Sequence, residues 1–139
     1  MIRNVFLLLL LAFMFPLTIH AQILRDKSNM RIGEIESDGR VRNEYNMTIG
    51  RIGDDGRIKD MRNMTIGTFD KNGTIRNSNN MFVGKVESDG TVRNKSNMLA
   101  GKIESDGTVR NGKGMVIGYA KGVPRIYAAV FFFFDFFGR

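Results

Sequence analysis

The 139-residue chain has no cysteine, no tryptophan, two prolines and a single histidine, His20. The missing cysteines exclude disulfide scaffolds, thiol nucleophiles and thiolate metal centres. His20 lies in a segment that reads as a leader, so the remainder has no imidazole for a Ser-His-Asp triad or a metal site. No apolar run reaches the ~20 residues of a membrane-spanning helix. The chain is instead rich in glycine, with 16 residues, and in positive charge, with 21 Lys+Arg against 14 Asp+Glu and a net charge of +7.

Residues 1–21 are expected to be a signal peptide. Arg3 gives the positive start, Val5 to Phe15 is an apolar run of 11 residues, Pro16 breaks it, and Ala21 stands before Gln22 as a small residue at the cut. No cysteine follows for a lipid anchor. Export without cysteines suits the periplasm or cell surface of a Gram-negative bacterium better than a disulfide-stapled extracellular setting.

Between the ends lies a tandem repeat. Met30, Met47, Met64, Met81, Met98 and Met115 are spaced 17 residues apart, and Gly33, Gly50, Gly67, Gly84, Gly101 and Gly118 follow them by three. A second glycine closes each unit at Gly39, Gly56, Gly73, Gly90 and Gly107, preceded by Asp38, Asp55, Asn72, Asp89 or Asp106. Asparagine precedes every methionine of the series except Met115.

Each unit reads as a β-hairpin. Met30-Arg31-Ile32 has apolar residues two apart, Glu36-Ser37-Asp38-Gly39 reads as a turn ending in a left-handed residue, and Arg40-Val41-Arg42 alternates again. Two glycines and a turn in every unit leave no window for a helix. Ile32 and Ile35 are three apart, which strict alternation places on opposite faces. Either a bulge at Gly33 returns them to one face, or Gly33 and its equivalents mark a close backbone approach around a shared axis. Both readings stay open.

A lone hairpin is marginal in water, so stacking must build the core. Four apolar columns are expected to form it: the methionine series, counted as repeat core; Ile32, Ile49, Ile66, Val83, Ala100, Ile117; Ile35, Ile52, Phe69, Val86, Ile103, Ala120; and Val41, Ile58, Ile75, Val92, Val109, Ile126. Leu24 to Asn29 matches Val92 to Asn97, so the repeat begins with an isolated second strand. The sixth unit keeps Met115 and Gly118 and replaces the Asp-Gly turn with Lys121-Gly122-Val123-Pro124. The two ends are then able to meet and close a ring; an open stack of hairpins is the alternative.

Five Asp/Asn-Gly hairpins at this spacing, opened by Asn-Met-x-x-Gly behind a leader, resemble the secreted 5-fold beta-flower proteins of Bacteroidetes-type bacteria. The resemblance covers about residues 24–127. It implies an all-β fold of hairpin petals around a pseudo-five-fold axis, and it implies no activity, cofactor or catalytic residue.

The expected organisation is a signal peptide (1–21), an all-β repeat domain of five full units with partial ends (22–127) and a Phe-rich segment (128–139). In the last, Phe131 to Phe134, Phe136 and Phe137 surround Asp135. The segment reads as a buried closing strand, as a membrane- or partner-contacting tail, or as a disordered end.

Rotational symmetry would turn Arg42, Lys59, Arg76, Arg93 and Arg110 into a basic ring. It reads either as a solvated strand face or as a surface for acidic glycan, lipid headgroup or another envelope protein. Nucleic acid is not expected, because no aromatic platforms interleave with these cations. The Asp-Gly turns offer too few carboxylates for calcium. Glu36, Glu87 and Glu104 recur in equivalent settings, whereas acid/base catalysis needs two environments that separate the pKa values. The Asn-x-Ser/Thr matches at Asn46, Asn63, Asn72 and Asn94 come from the repeat template, and the methionines read as packing rather than copper ligands. The expectation is an exported, non-catalytic structural or binding module without cofactors, with envelope association through Phe131–Phe137 as the alternative.

Overall fold

The computed structural model describes residues 22–138; the leader reading lies outside them. Each 17-residue unit forms two antiparallel strands joined by two turns of one design. In the first, between β2 (Arg31–Ile35) and β3 (Arg40–Asn43), the Glu36 N–H donates to Arg40 O at 2.8 Å and the Gly39 N–H to Glu36 O at 2.9 Å. Gly39 has φ +91°, a left-handed conformation that L side chains resist, and the equivalent Gly56, Gly73, Gly90 and Gly107 all have positive φ. In the second, between β3 and β4 (Thr48–Ile52), the Asn43 N–H donates to Met47 O at 2.9 Å and the Asn46 N–H to Asn43 O at 3.0 Å. Here Asn46 takes the left-handed position, at φ 63°. The Asn43 side-chain oxygen accepts the N–H groups of Tyr45 and Met47, at 2.9 and 3.0 Å. Asparagine therefore precedes each methionine because it tolerates this backbone, and Gly114 takes the role before Met115, at φ 79°.

The pattern continues through β5 (Arg57–Lys59), β6 (Thr65–Phe69), β7 (Thr74–Asn77), β8 (Phe82–Val86), β9 (Thr91–Asn94), β10 (Leu99–Ile103), β11 (Thr108–Asn111) and β12 (Val116–Tyr119). β12 then pairs with β1 (Gln22–Asp26) through Arg25 opposite Tyr119 and Asp26 opposite Gly118. The result is a closed antiparallel barrel of twelve strands, not an open stack. Five hairpins are continuous in the chain, and the two ends of the repeat assemble the sixth position, which removes every sheet edge.

The pairing answers the Ile32/Ile35 puzzle. Leu24 faces Gly33 and Arg25 faces Arg31, so Ile32 is an extra residue, and the same skip recurs at Ile49, Ile66, Val83, Ala100 and Ile117. Six bulges add twist around the ring. They also let both Ile32 and Ile35 belong to the core side.

Two inner rings are buried. One is Leu24, Val41, Ile58, Ile75, Val92 and Val109, each fully inaccessible. Leu24, not Ile126, completes this column; Ile126 belongs to a helix. The other is Ile35, Ile52, Phe69, Val86, Ile103 and Ala120, with Phe69 partly exposed.

The C-terminal segment departs from the expectation of a closing strand or a contacting tail. Residues Arg125–Phe133 form a helix, α1, so the boundary expected at residue 127 falls inside an element. Closure of β12 on β1 leaves no edge for a further strand. An eight-stranded barrel is about as wide as its own wall side chains can fill, and twelve strands need a filler. α1 supplies it: Ala128, Ala129 and Val130 are fully buried and Phe131 nearly so. Phenylalanine is a mediocre helix former, and burial in the lumen overrides that preference.

The mid-strand glycines accommodate the phenylalanines. A Cβ at Gly33 would lie 2.6 Å from Phe131 Cζ, and one at Gly118 would lie 2.6 Å from Phe132 Cε1. Gly101 meets Phe133, Gly84 meets Phe134, Gly67 meets Phe136 and Gly50 meets Phe137. Each phenylalanine from 131 onward fits one petal, and Asp135 is passed over and exposed. The close-approach reading is thus correct alongside the bulge, with aromatic rings as the approaching group.

The methionine column is also corrected. Met30, Met47, Met64, Met81, Met98 and Met115 are 56–64% exposed. They follow directly on the Asn turns, so they crown one mouth of the barrel instead of filling it.

Candidate functional site

The basic column lies on the outer wall. Val41 points into the core and is buried, so its neighbours Arg40 and Arg42 alternate outward and are only partly covered. Arg42 is ion-paired through Nε to Glu36 of its own hairpin. Arg93 pairs with Glu87 at 2.7 Å and Arg110 with Glu104 at 3.0 Å. The same guanidiniums reach an Asn-turn carbonyl: Arg42 to Asn46 O at 3.1 Å, Arg93 to Asn97 O at 3.3 Å and Arg110 to Gly114 O at 3.0 Å. Arg76 donates to Asn80 O at 3.3 Å, and Arg25 repeats the arrangement with Asn29 O at 3.1 Å. The glutamate beside Arg42 raises the pKa of that guanidinium further above its ordinary value.

Glu36, Glu87 and Glu104 therefore stand in three separate hairpins, each against its own arginine. The second hairpin differs. Gly53 occupies the place of the glutamate, and Lys59 makes no such ion pair.

Strand register adds cations that the sequence column did not contain. Arg51 stands directly opposite Lys59, Lys85 opposite Arg93 and Lys102 opposite Arg110. Arg51 also faces Arg40 on its other side. Like charges in direct cross-strand pairs repel. Arg40 is compensated by Glu36 and Asp38, both within 2.9 Å. Arg51, Arg57 and Lys59 line an open groove beside Tyr127, together with Glu36, Asp38, Asp54 and Asp55. Arg51, Lys85 and Lys102 each follow a mid-strand glycine, and a simple count of columns does not show that pairing sets them beside the basic ring.

The acidic turns are held by their own backbone. The Asp38 carboxylate accepts the Arg40 N–H at 3.0 Å, Asp89 the Thr91 N–H at 2.9 Å and Asp106 the Thr108 N–H at 2.9 Å. These bonds, before any ionic effect, hold the three carboxyls below the usual range. Burial raises the Tyr127 phenol, with Asp54 and Asp55 adding to it. Among the described residues there is no group of three or more His, Asp or Glu side chains arranged to hold a metal ion. No helix among them is long and apolar enough to cross a membrane.

The barrel is polar along its axis. Asp38, Asp54, Asp55, Asp70, Asp89 and Asp106 stand on the turns of one mouth, where α1 enters and Arg125 donates to Ser88 O at 2.8 Å. The other mouth carries the methionines and the carbonyls held by the arginine column. Phe134 and Phe136 line a groove there with Ile66, Val83 and Asn77.

Comparison with known proteins finds no match among curated proteins and none among solved structures. It does find a family, described as 5-fold beta-flower protein, matched over residues 21–137. That match takes in all twelve strands and the six phenylalanines from Phe131 to Phe137. The family's description states an architecture and no activity, in keeping with hairpins that repeat one design around a ring. The chain belongs to the 5-fold beta-flower family.

Proposed function

We propose that this protein is an exported, non-catalytic binding module of the bacterial envelope that holds an acidic glycan on its basic outer wall. The observation that carries the reading is the second hairpin, where Arg51 faces Lys59 and Gly53 stands in place of the glutamate found at positions 36, 87 and 104. A carboxylate- or sulfate-bearing saccharide laid across Arg51 and Lys59 on the strand face would relieve the repulsion between these two cations. The repeated wall suits a ligand that is itself a repeat, because neighbouring hairpins present comparable cations at regular intervals. A non-catalytic role is supported by Glu36, Glu87 and Glu104, which stand in three separate hairpins, each against its own arginine. Export is supported by Arg3 and the Val5–Phe15 run, with no cysteine in the chain.

Retention on immobilised alginate, a polyuronate, tests the reading. The Arg51→Ser/Lys59→Ser double variant should elute at clearly lower salt than the parent, and an Arg42→Ser variant should shift less because Glu36 already neutralises Arg42. Equal elution of the parent and the double variant, or no retention of the parent, would refute it.

A further inference from the structure

The methionine-crowned mouth is an apolar surface of unusual regularity. Six methionines, one per petal, occupy equivalent positions after equivalent turns, and each is more than half exposed. Tyr45 at 74%, Met61 at 73% and Leu99 at 52% exposure extend the same rim. Single exposed apolar residues are normal on a protein surface, but a closed ring of them at one level is not. We propose that this mouth is the face by which the barrel docks end-on to an anionic lipid bilayer.

Shape and charge both favour this occupant. Repetition around the axis sets the six thioethers at one height, which matches a broad flat surface better than a pocketed protein. Methionine is flexible and apolar, able to conform to acyl chains without a fixed partner geometry. The turn tips around the ring carry the exposed cations Lys27, Arg62, Lys95 and Lys113. Behind them, arginines of the outer column hold the Asn-turn carbonyls. Four acids, Asp26, Glu44, Asp60 and Asp135, share this mouth, so its positive excess rests on the column arginines behind the tips. Asp26 and Asp60 accept turn N–H groups, leaving Glu44 and Asp135 exposed. Cations near an anionic membrane surface strengthen binding roughly fivefold apiece. The far mouth mixes its aspartates with Arg51, Arg57 and Arg125, so the methionine crown, more than charge, orients the barrel.

A second copy is a poorer occupant. Two methionine mouths face to face would oppose cation to cation, and a head-to-tail contact would set the thioethers against the aspartate turns, which offer no apolar partner. The inference concerns other residues than the glycan reading, so each stands or falls without the other.

The test uses the full chain, brief peroxide oxidation and mass spectrometry of each methionine peptide, with and without phosphatidylglycerol-containing vesicles. The chain's N-terminal apolar run is able to bind lipid by itself, so the position of protection decides. Bound to anionic vesicles, Met30, Met47, Met64, Met81, Met98 and Met115 should all oxidise at least severalfold more slowly. Zwitterionic vesicles should protect them much less. In a second arm, brominated lipid should quench a Met64→Trp variant and not an Asn72→Trp variant at the opposite mouth. Lipid binding that leaves the six methionines reactive would overturn the proposal. So would quenching of both tryptophans alike, no binding to anionic vesicles, or concentration-dependent protection without vesicles, which would mean self-association.

Discussion

Gly33 and Phe131 touch where no side chain at position 33 would fit, since a Cβ there would come within 2.6 Å of the ring. The contact joins the first full repeat to the chain's far end, and five equivalent contacts join the other petals to the same short segment. The barrel wall and its filler are therefore one cooperative structure.

Filling that contact should be costly. Gly84→Ala places a methyl group against Phe134 and the Arg93 carbonyl, and overpacking of this kind destabilises by about 1–3 kcal/mol. Urea denaturation of the variant should show that loss, and adding Phe134→Leu should recover part of it. A Gly112→Ala control, whose Cβ would lie 3.0 Å from the Leu99 carbonyl and near no phenylalanine, should show no recovery with Phe134→Leu.

Emptying the lumen should cost more. Phe131→Ala removes a nearly fully buried ring where α1 meets the glycine ring, and phenylalanine truncations in cores cost about 3–5 kcal/mol. A chain ending at Val130 loses all six rings at once. It should lose the cooperative thermal transition in near-ultraviolet circular dichroism while keeping much of its far-ultraviolet strand signal. A truncated chain that melts as sharply as the parent would show that the wall stands unaided.

How much of this was legible in the sequence depends on what holds each part. The hairpins are local: Glu36-Ser37-Asp38-Gly39 dictates its own turn, and the 17-residue spacing repeats it, so the strands were readable from residues alone, whereas closure of the ring, left open against an open stack, depends on β12 meeting β1. The methionines were misplaced because two-residue spacing from Ile32 suggests a shared face. What decides is the three-residue Asn turn, which brings Met30 to the rim. Phe131 to Phe137 has strong strand propensity, and the helix that takes in Phe131 to Phe133 follows from a global fact, that β12 takes the last free edge of β1. The available signal was arithmetic: six mid-strand glycines against six phenylalanines. The basic wall was half visible, because Arg51 and Lys59 become neighbours only through register.

The left-handed turn positions give a sharp local test. Gly39→Val imposes a β-branched side chain at φ +91° and sets its Cβ against the Ile52 carbonyl, so it should destabilise by more than about 1 kcal/mol. Asn46→Ala at φ 63° should cost less, about 1 kcal/mol, because alanine tolerates that backbone poorly but meets no such clash. Thermal melts of the two variants should rank in that order, and a neutral Gly39→Val would contradict the turn geometry.

The same turns set the response to acid. In Asp38, Asp89 and Asp106 the folded-state pKa is depressed, first by the backbone N–H two residues on. A carboxyl depressed in the folded state contributes stability that is fully present above its unfolded value, near 3.9, and is lost as pH falls through the folded value. Melting temperature should therefore be flat from pH 7 to about 5 as far as these groups are concerned, and should fall below about pH 4. Asp89→Asn keeps an oxygen to accept the Thr91 N–H but cannot titrate. The triple variant at positions 38, 89 and 106 should thus melt lower than the parent at pH 7 and fall less steeply between pH 4 and 2. Parallel pH profiles for the two proteins would show that these turn carboxyls do not carry the acid sensitivity.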